Sequence, residues 1–193
     1  MVKMVNRCSW ANYNDAMKEY HDKEWGTPVH DDQLLFEFLV LEGAQAGLSW
    51  NTILQKRENF RKAFDKFDYN KIVKYNKQKV EDLLNNKGII RNRLKIEAVI
   101  ANASAYIEVQ KEFDTFDKYI WQFVNNKPRI NKFKTLEELP TKTEQSEQMS
   151  KDLKKRGFKF IGPTICYAFM QAVGMVNDHV PDCFRYEEIN KIS

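Results

Sequence analysis

The sequence predicts an all-α fold. Apolar residues recur at three- and four-residue spacing along most of the 193 residues, and a capping side chain stands at the head of most of these runs. No stretch of strand length keeps an apolar–polar alternation of period two. A hydrophobic content of 42% suffices for a core, and the chain reads as one unit, residues 1–193, without internal repeats. With 7 Gly and 5 Pro, it is neither collagen-like nor of low complexity. The net charge of +4, from 31 Lys+Arg against 27 Asp+Glu, excludes a histone-like polybasic protein but leaves room for a local basic patch. The start, MVKMVNRCSW, has no apolar signal core. The apolar run Ile161 to Val176 is broken by Pro163, Tyr167 and Gln171 and falls short of a membrane span. A soluble, cytoplasmic protein without a membrane partner is expected.

The elements follow in order. Asp31 or Asp32 caps a helix whose apolar stripe is Leu34, Leu35, Phe38, Leu39 and Leu41. Ser49 caps the next, with Trp50, Ile53, Leu54, Phe60 and Phe64 near helical spacing. Asp68 and Asn76 head two short helices, and Gly88 suits the residue just past the second. A long helix carries Leu94, Ile96, Val99, Ile100, Ala103, Tyr106 and Ile107; another covers 115–124 with Phe116, Tyr119, Ile120 and Phe123 buried. From Asn125 to Glu147 the composition turns polar and loops are expected. Two helices close the chain, Ser146 to Arg156 ended by Gly157, and about Gly162 to Val173 ended by Gly174.

Three cysteines (Cys8, Cys166, Cys183) and three histidines (His21, His30, His179) argue against a disulfide framework. Cys8 and His21 near the start and His179 and Cys183 near the end together suit a tetrahedral Cys2His2 zinc site. Unrelated core thiols and a surface histidine are the alternative. Four protein ligands leave no position open for water, so such a metal would tie the chain ends together and do no hydrolysis. Cys166 sits in an apolar helix and reads as a small buried hydrophobe. His30 reads as a loop residue without a partner.

Five basic residues, Lys151, Lys154, Lys155, Arg156 and Lys159, precede a turn that opens a helix. Amides at such a helix start form an anion site. The G-x4-G spacing resembles a P-loop, but Pro163 stands where the lysine belongs and lacks an N–H, which argues against a nucleotide site. A helix-hairpin-helix over about 146–174 fits better, with Phe160 in the place of its first glycine. An ordinary helix pair with a solvated basic face fits the segment equally well. Lys154, Lys155, Lys159 and Gly162 are the candidate contacts to a DNA backbone.

EYHDKEWG and LEGAQAGLSW combine aromatics with acids. Glu42 ends a strongly apolar helix, where a carboxylate must find partners or take a raised pKa. Gly43, Ala44, Ala46 and Gly47 leave room beside it, and Trp50 and Tyr20 add rings and a hydroxyl. A flat, electron-poor ligand fits such a box. Core aromatics and a capping acid are the competing reading.

In this order, C-x12-H, YHDKEWG, LEGAQAGLSW, GIIRNRLKI, KKRGFKFIGPTICYAFMQAVG and NDHVPDC resemble the bacterial 3-methyladenine DNA glycosylase I family from about Arg7 to Cys183. The resemblance implies a helix-hairpin-helix glycosylase fold with one structural zinc on Cys8, His21, His179 and Cys183. It implies a base pocket of Glu42, Tyr20 and Trp50, with Trp10 and Trp25 as further walls. The implied activity is hydrolytic release of 3-methyladenine from double-stranded alkylated DNA, in base excision repair, by a monomer. Glu42 is then the candidate catalytic residue. The string Val176-Asn177-Asp178-His179 departs from the Val-Asp-Thr-His pattern of the wider superfamily, which places no strong base there. With no lysine nucleophile in an apolar setting, a monofunctional glycosylase without lyase activity is expected.

Overall fold

Residues 5–192 are described by a computed structural model, and helices dominate them. The chain enters through a 3-10 turn at Ser9–Tyr13 and helix α1 (Asp15–Lys23), whose cap Asn14 accepts from the Met17 amide. Helix α2 (Asp32–Gln45) is buried along nearly its whole circumference. Its cap is Asp31, which accepts from the Leu34 amide. Asp32 has a different task, since its carboxylate accepts from the Phe116 and Asp117 amides at 2.9 Å and so anchors a distant helix start. Ser49 caps α3 (Trp50–Ala63), Asp68 caps α4 (Tyr69–Ile72) and Asn76 caps α5 (Lys77–Asn85), as the sequence predicts.

Helix α6 (Arg93–Phe113) follows, capped by Asn92. Leu94 belongs to its apolar row in sequence but is 67% exposed, because the first turn overhangs the core. Gly88 is not in a left-handed conformation; the chain leaves α5 at Asn86, whose side chain accepts the Gly88 amide at 2.8 Å. The predicted helix over 115–124 is α7 (Phe116–Ile120) running into a 3-10 turn at Trp121–Val124. Helix α8 (Glu144–Lys155) begins two residues earlier than its sequence reading, since Thr143 and Ser146 form a reciprocal capping box. Turn 156–162 leads into α9 (Pro163–Ala172), and α10 (Phe184–Ile192) ends the described chain.

Two helices leave little trace in the sequence. Helix α1 overlaps EYHDKEWG, whose charged residues obscure a mostly exposed face, and α10 has only Tyr186 and Ile189 buried. A two-residue parallel pair also occurs, Arg129 opposite Val176 and Ile130 opposite Asn177, too short to leave an alternation.

One apolar cluster runs from Cys8 to Cys183 and joins these helices. Two positive-φ glycines close it. Gly157 (φ +96°) ends α8, and Gly174 (φ +71°) ends α9 where the chain passes directly over Thr27 and Pro28. A Cβ at Gly174 would lie 2.4 Å from the Pro28 nitrogen, so this crossing requires glycine for space as well as for conformation. It holds the residues after α1 against the end of α9. No helix among the described residues is long and apolar enough to cross a membrane.

Candidate active site and metal centre

Helices α1, α2, α3 and α9 surround a cavity of about 310 Å3 lined by Trp10, Tyr20, Trp25, Glu42, Trp50 and Gln171, among others. All five base-pocket residues predicted from sequence are therefore brought together. Glu42 lies in the last turn of α2, 4% exposed, and no hydrogen bond to another described residue satisfies its carboxyl group. Burial raises its pKa to about 8. Tyr20, on α1, is also buried, and its hydroxyl likewise has no protein partner among the described residues. Its pKa is raised well above the usual phenol value, first by burial and then by the nearby Glu42. The Tyr20 and Trp50 rings are 5.2 Å apart, and Trp10 meets Trp25 edge-on at 5.1 Å. The Trp50 indole N–H is buried without a partner. A cavity walled by rings and carrying unpaired polar atoms accepts a flat heteroaromatic molecule that hydrogen-bonds at its edge.

Behind this cavity, Cys8, His21, His179 and Cys183 converge, all buried, with their ligand atoms within 4.8 Å of one another. Cys183 Sγ lies 3.4 Å from His21 Nε2 and 3.5 Å from His179 Nδ1, and Cys8 Sγ lies 3.6 Å from His179 Nδ1. Tetrahedral zinc bonds of about 2.3 Å to sulfur and about 2.0 Å to nitrogen place such pairs about 3.5 Å apart, so the spacing fits. The outer contacts fit as well. His21 Nδ1 meets Asp22 at 2.8 Å, and Arg7 holds that carboxylate in turn; His179 Nε2 meets the Trp25 carbonyl at 3.0 Å. Each imidazole thus has its far nitrogen fixed and its near nitrogen directed at the cluster. A hydrogen bond from Cys8 favours the Cys183 thiolate, and the Cys8 thiol is pushed up.

The turn between α8 and α9 is pinned from within. Asn102 on α6 accepts the Lys159 amide at 2.7 Å and donates to the Lys159 carbonyl at 3.1 Å. Ser150 donates to the Ile161 carbonyl at 2.6 Å. Phe160 has φ +52°, the conformation that glycine adopts most easily. Gly162 opens α9 without a side-chain cap, which leaves first-turn amides available to an anion. Lys154, Lys155 and Lys159 are exposed around this turn.

A profile of the methyladenine glycosylase family matches residues 10–186. The chain belongs to the methyladenine glycosylase family. It is 51% identical over 180 residues to a DNA-3-methyladenine glycosylase of Haemophilus influenzae, covering 93% of this chain and 97% of the relative. It is similar to a crystal structure of 3-methyladenine DNA glycosylase I, with a TM-score of 0.91 and 49% identity over 93% of this chain and 98% of the other. It also resembles, with a TM-score of 0.90 and 34% identity over 93% and 97% of the two chains, a tyrosine-to-phenylalanine variant of a second 3-methyladenine DNA glycosylase I in complex with 3-methyladenine.

Several residues of this methyladenine glycosylase escape sequence reasoning. Leu139, from the polar connection between α7 and α8, lines the cavity, as do Ala168 and Gln171, one turn apart on α9. Leu48, 39% exposed in the turn just before Trp50, is an apolar tip whose only sequence signal is its place after Gly47. His30 does have a partner: its Nδ1 meets Asp117 at 2.7 Å and its ring stacks on Trp121. Cys166 is a buried thiol that donates to the Ile161 carbonyl. Asn177 bonds to the Tyr186 carbonyl and to Asn190, while Asp178 accepts from Tyr167, Gln171 and Asn131, so neither is a free base. One lysine is partly buried beside apolar residues after all. Lys95 lies along a separate small cavity, and its ammonium donates to the Ala44 and Ala46 carbonyls.

Proposed function

We propose that the protein hydrolyses the N-glycosidic bond of 3-methyladenine in alkylated double-stranded DNA, acting as a single chain with one structural zinc. The observation that carries this reading is a buried Glu42 without a protein partner in an aromatic cavity. Methylation at N3 gives the purine a delocalised positive charge and makes it a neutral leaving group once the bond breaks. The water oxygen bonds to C1′, the C1′–N9 pair stays with the purine, and a water proton is released. Little acid catalysis is required of the protein. Discrimination rests on charge and stacking: a cationic base favours ionised Glu42, while ordinary adenine offers no such compensation. Tyr20 and Trp50 hold the ring, and Trp10 and Trp25 complete the walls. Glu42 also faces the positive charge that develops on the sugar.

The nucleotide must leave the stack, which costs roughly a few kcal/mol. Leu48 is suited to fill the vacated space. The α8–α9 pair acts as a helix-hairpin-helix: turn amides near Gly162 and the ammonium groups of Lys154, Lys155 and Lys159 hold a backbone phosphate without reading sequence. Cys8, His21, His179 and Cys183 would hold the zinc, which supplies a clasp between distant parts of the chain and no step of the reaction. Incubation with methylated duplex DNA and chromatography of the released bases tests the activity. Free 3-methyladenine above the spontaneous rate is expected, with intact strands at the resulting abasic sites; its absence would defeat the enzyme reading.

A further inference from the structure

The activity proposed above leaves open how the cavity tells an adenine from a guanine that carries the same methyl group and the same charge. Glu42 cannot settle this alone. Its pKa near 8 lets it present either an acceptor or a donor at neutral pH. Gln171 has no such freedom. It projects from α9 into the cavity wall, and its Nε2 donates to Asp178 Oδ2 at 2.8 Å. Asp178 is 2% exposed and also accepts from the Tyr167 hydroxyl at 2.6 Å and from Asn131 Nδ2 at 2.6 Å. A carboxylate that only accepts fixes the amide's orientation: the NH2 end must face Asp178. The other end, Oε1, has no protein partner among the described residues.

We infer that Gln171 Oε1 is a fixed hydrogen-bond acceptor in the base cavity that selects purines bearing an exocyclic amino group at position 6, with Asp178 as the residue that positions it. 3-Methyladenine places an N–H donor there. 3-Methylguanine places a carbonyl oxygen, so two acceptors would face each other in a buried site, and that mismatch is far more costly than forgoing one hydrogen bond in water. The arrangement also gives the buried Asp178 a role. Its hydrogen bonds are committed to holding Gln171, Tyr167 and the connection after α7.

The inference rests on the glycosylase reading but fails separately from it. Wild-type protein is titrated with free 3-methyladenine and with 3-methylhypoxanthine, in which a carbonyl replaces the amino group, following tryptophan fluorescence. At least a tenfold preference for 3-methyladenine is expected, and equal affinities would overturn the inference whatever the variants do. The ratio of 3-methyladenine to 3-methylguanine released from methylated DNA is then measured for Gln171→Met and Asp178→Asn. Gln171→Met is expected to narrow the ratio about tenfold. Asp178→Asn, which lets the amide turn over, should narrow it too, whereas a merely structural loss would lower both rates alike. A folded Gln171→Met with the wild-type ratio would remove Gln171 from recognition and leave the glycosylase standing. A wild type that releases no methylated purine while still preferring the amino base would fault only the activity.

Discussion

A single carboxyl group concentrates much of the chemistry. Glu42 is ringed by apolar and aromatic side chains, and its pKa of about 8 is set by burial. That shift gives stability a pH dependence of definite sign. Below about pH 4.5 the group is protonated in both the folded and unfolded chain and contributes nothing to pH dependence. Between about 4.5 and 8 the unfolded chain ionises while the folded protein resists, so stability falls as pH rises; above 8 this contribution levels off. Each pH unit in that window is worth roughly 1.4 kcal/mol. Glu42→Gln abolishes this titration, so the variant should gain on wild type from pH 5 to pH 8 by a few kcal/mol in urea denaturation. Parallel curves would mean that the carboxyl is not desolvated. The same variant should bind free 3-methyladenine at least tenfold more weakly at neutral pH, and Trp50→Ala should do likewise by removing a stacking face worth roughly 1–3 kcal/mol. Titrations unchanged in both would move the pocket elsewhere.

At the scale of elements, α9 lines the aromatic cavity through Ala168 and Gln171, opens at Gly162 in the turn proposed to hold phosphate, and joins the core through Phe169 and Met170. Gly174 fixes where it ends. Gly174→Ala would drive a Cβ into the backbone of Thr27 and Pro28 and force a left-handed alanine, so a loss of about 3 kcal/mol is expected by thermal or chemical denaturation. A loss below about 0.5 kcal/mol would show that the crossing is loose. The turn before α9 carries an independent prediction: charge reversal at Lys154, Lys155 and Lys159 should weaken duplex binding and flatten its salt dependence by up to about one unit of slope for each phosphate no longer neutralised. An unaltered slope would place the DNA elsewhere. Much of this level is legible in the sequence, because caps such as Asp31, Ser49 and Asn76 act within three residues and leave a local trace. Asp32 does not, since it anchors Phe116 and Asp117 across more than eighty residues. Gln171 and Leu139 are hidden for the same reason, as only packing shows that an unremarkable amide and a leucine in a polar connection border Glu42.

On the scale of the whole molecule, the Cys/His cluster and the aromatic cavity share a wall, so a metal held in the one would bear on a base held in the other. Tyr20 and His21 are neighbours on α1, so the turn that places the hydroxyl in the cavity also places an imidazole in the cluster. Trp25 packs edge-on to His179 with ring centres 4.6 Å apart, and its carbonyl meets His179 Nε2; Trp10 packs against His21 at 5.2 Å. The four candidate ligands come from two segments more than 150 residues apart, so sequence spacing alone leaves a shared Cys2His2 site and two unrelated couples both open until the family resemblance joins them. A metal there would constrain the unfolded chain across nearly its full length as well as orient two pocket walls. Elemental analysis should therefore find about one zinc per chain. Removal by a strong chelator should lower the melting temperature by several degrees and weaken binding of free 3-methyladenine, both recovering when zinc is restored. Cys183→Ser should reproduce both effects without chelator, while Cys166→Ser, outside the cluster, should leave metal content unchanged. A metal-free preparation as stable as the loaded one would make the four-ligand assignment wrong. Lower stability with unchanged base affinity would instead show that Trp10 and Trp25 hold their places through packing alone.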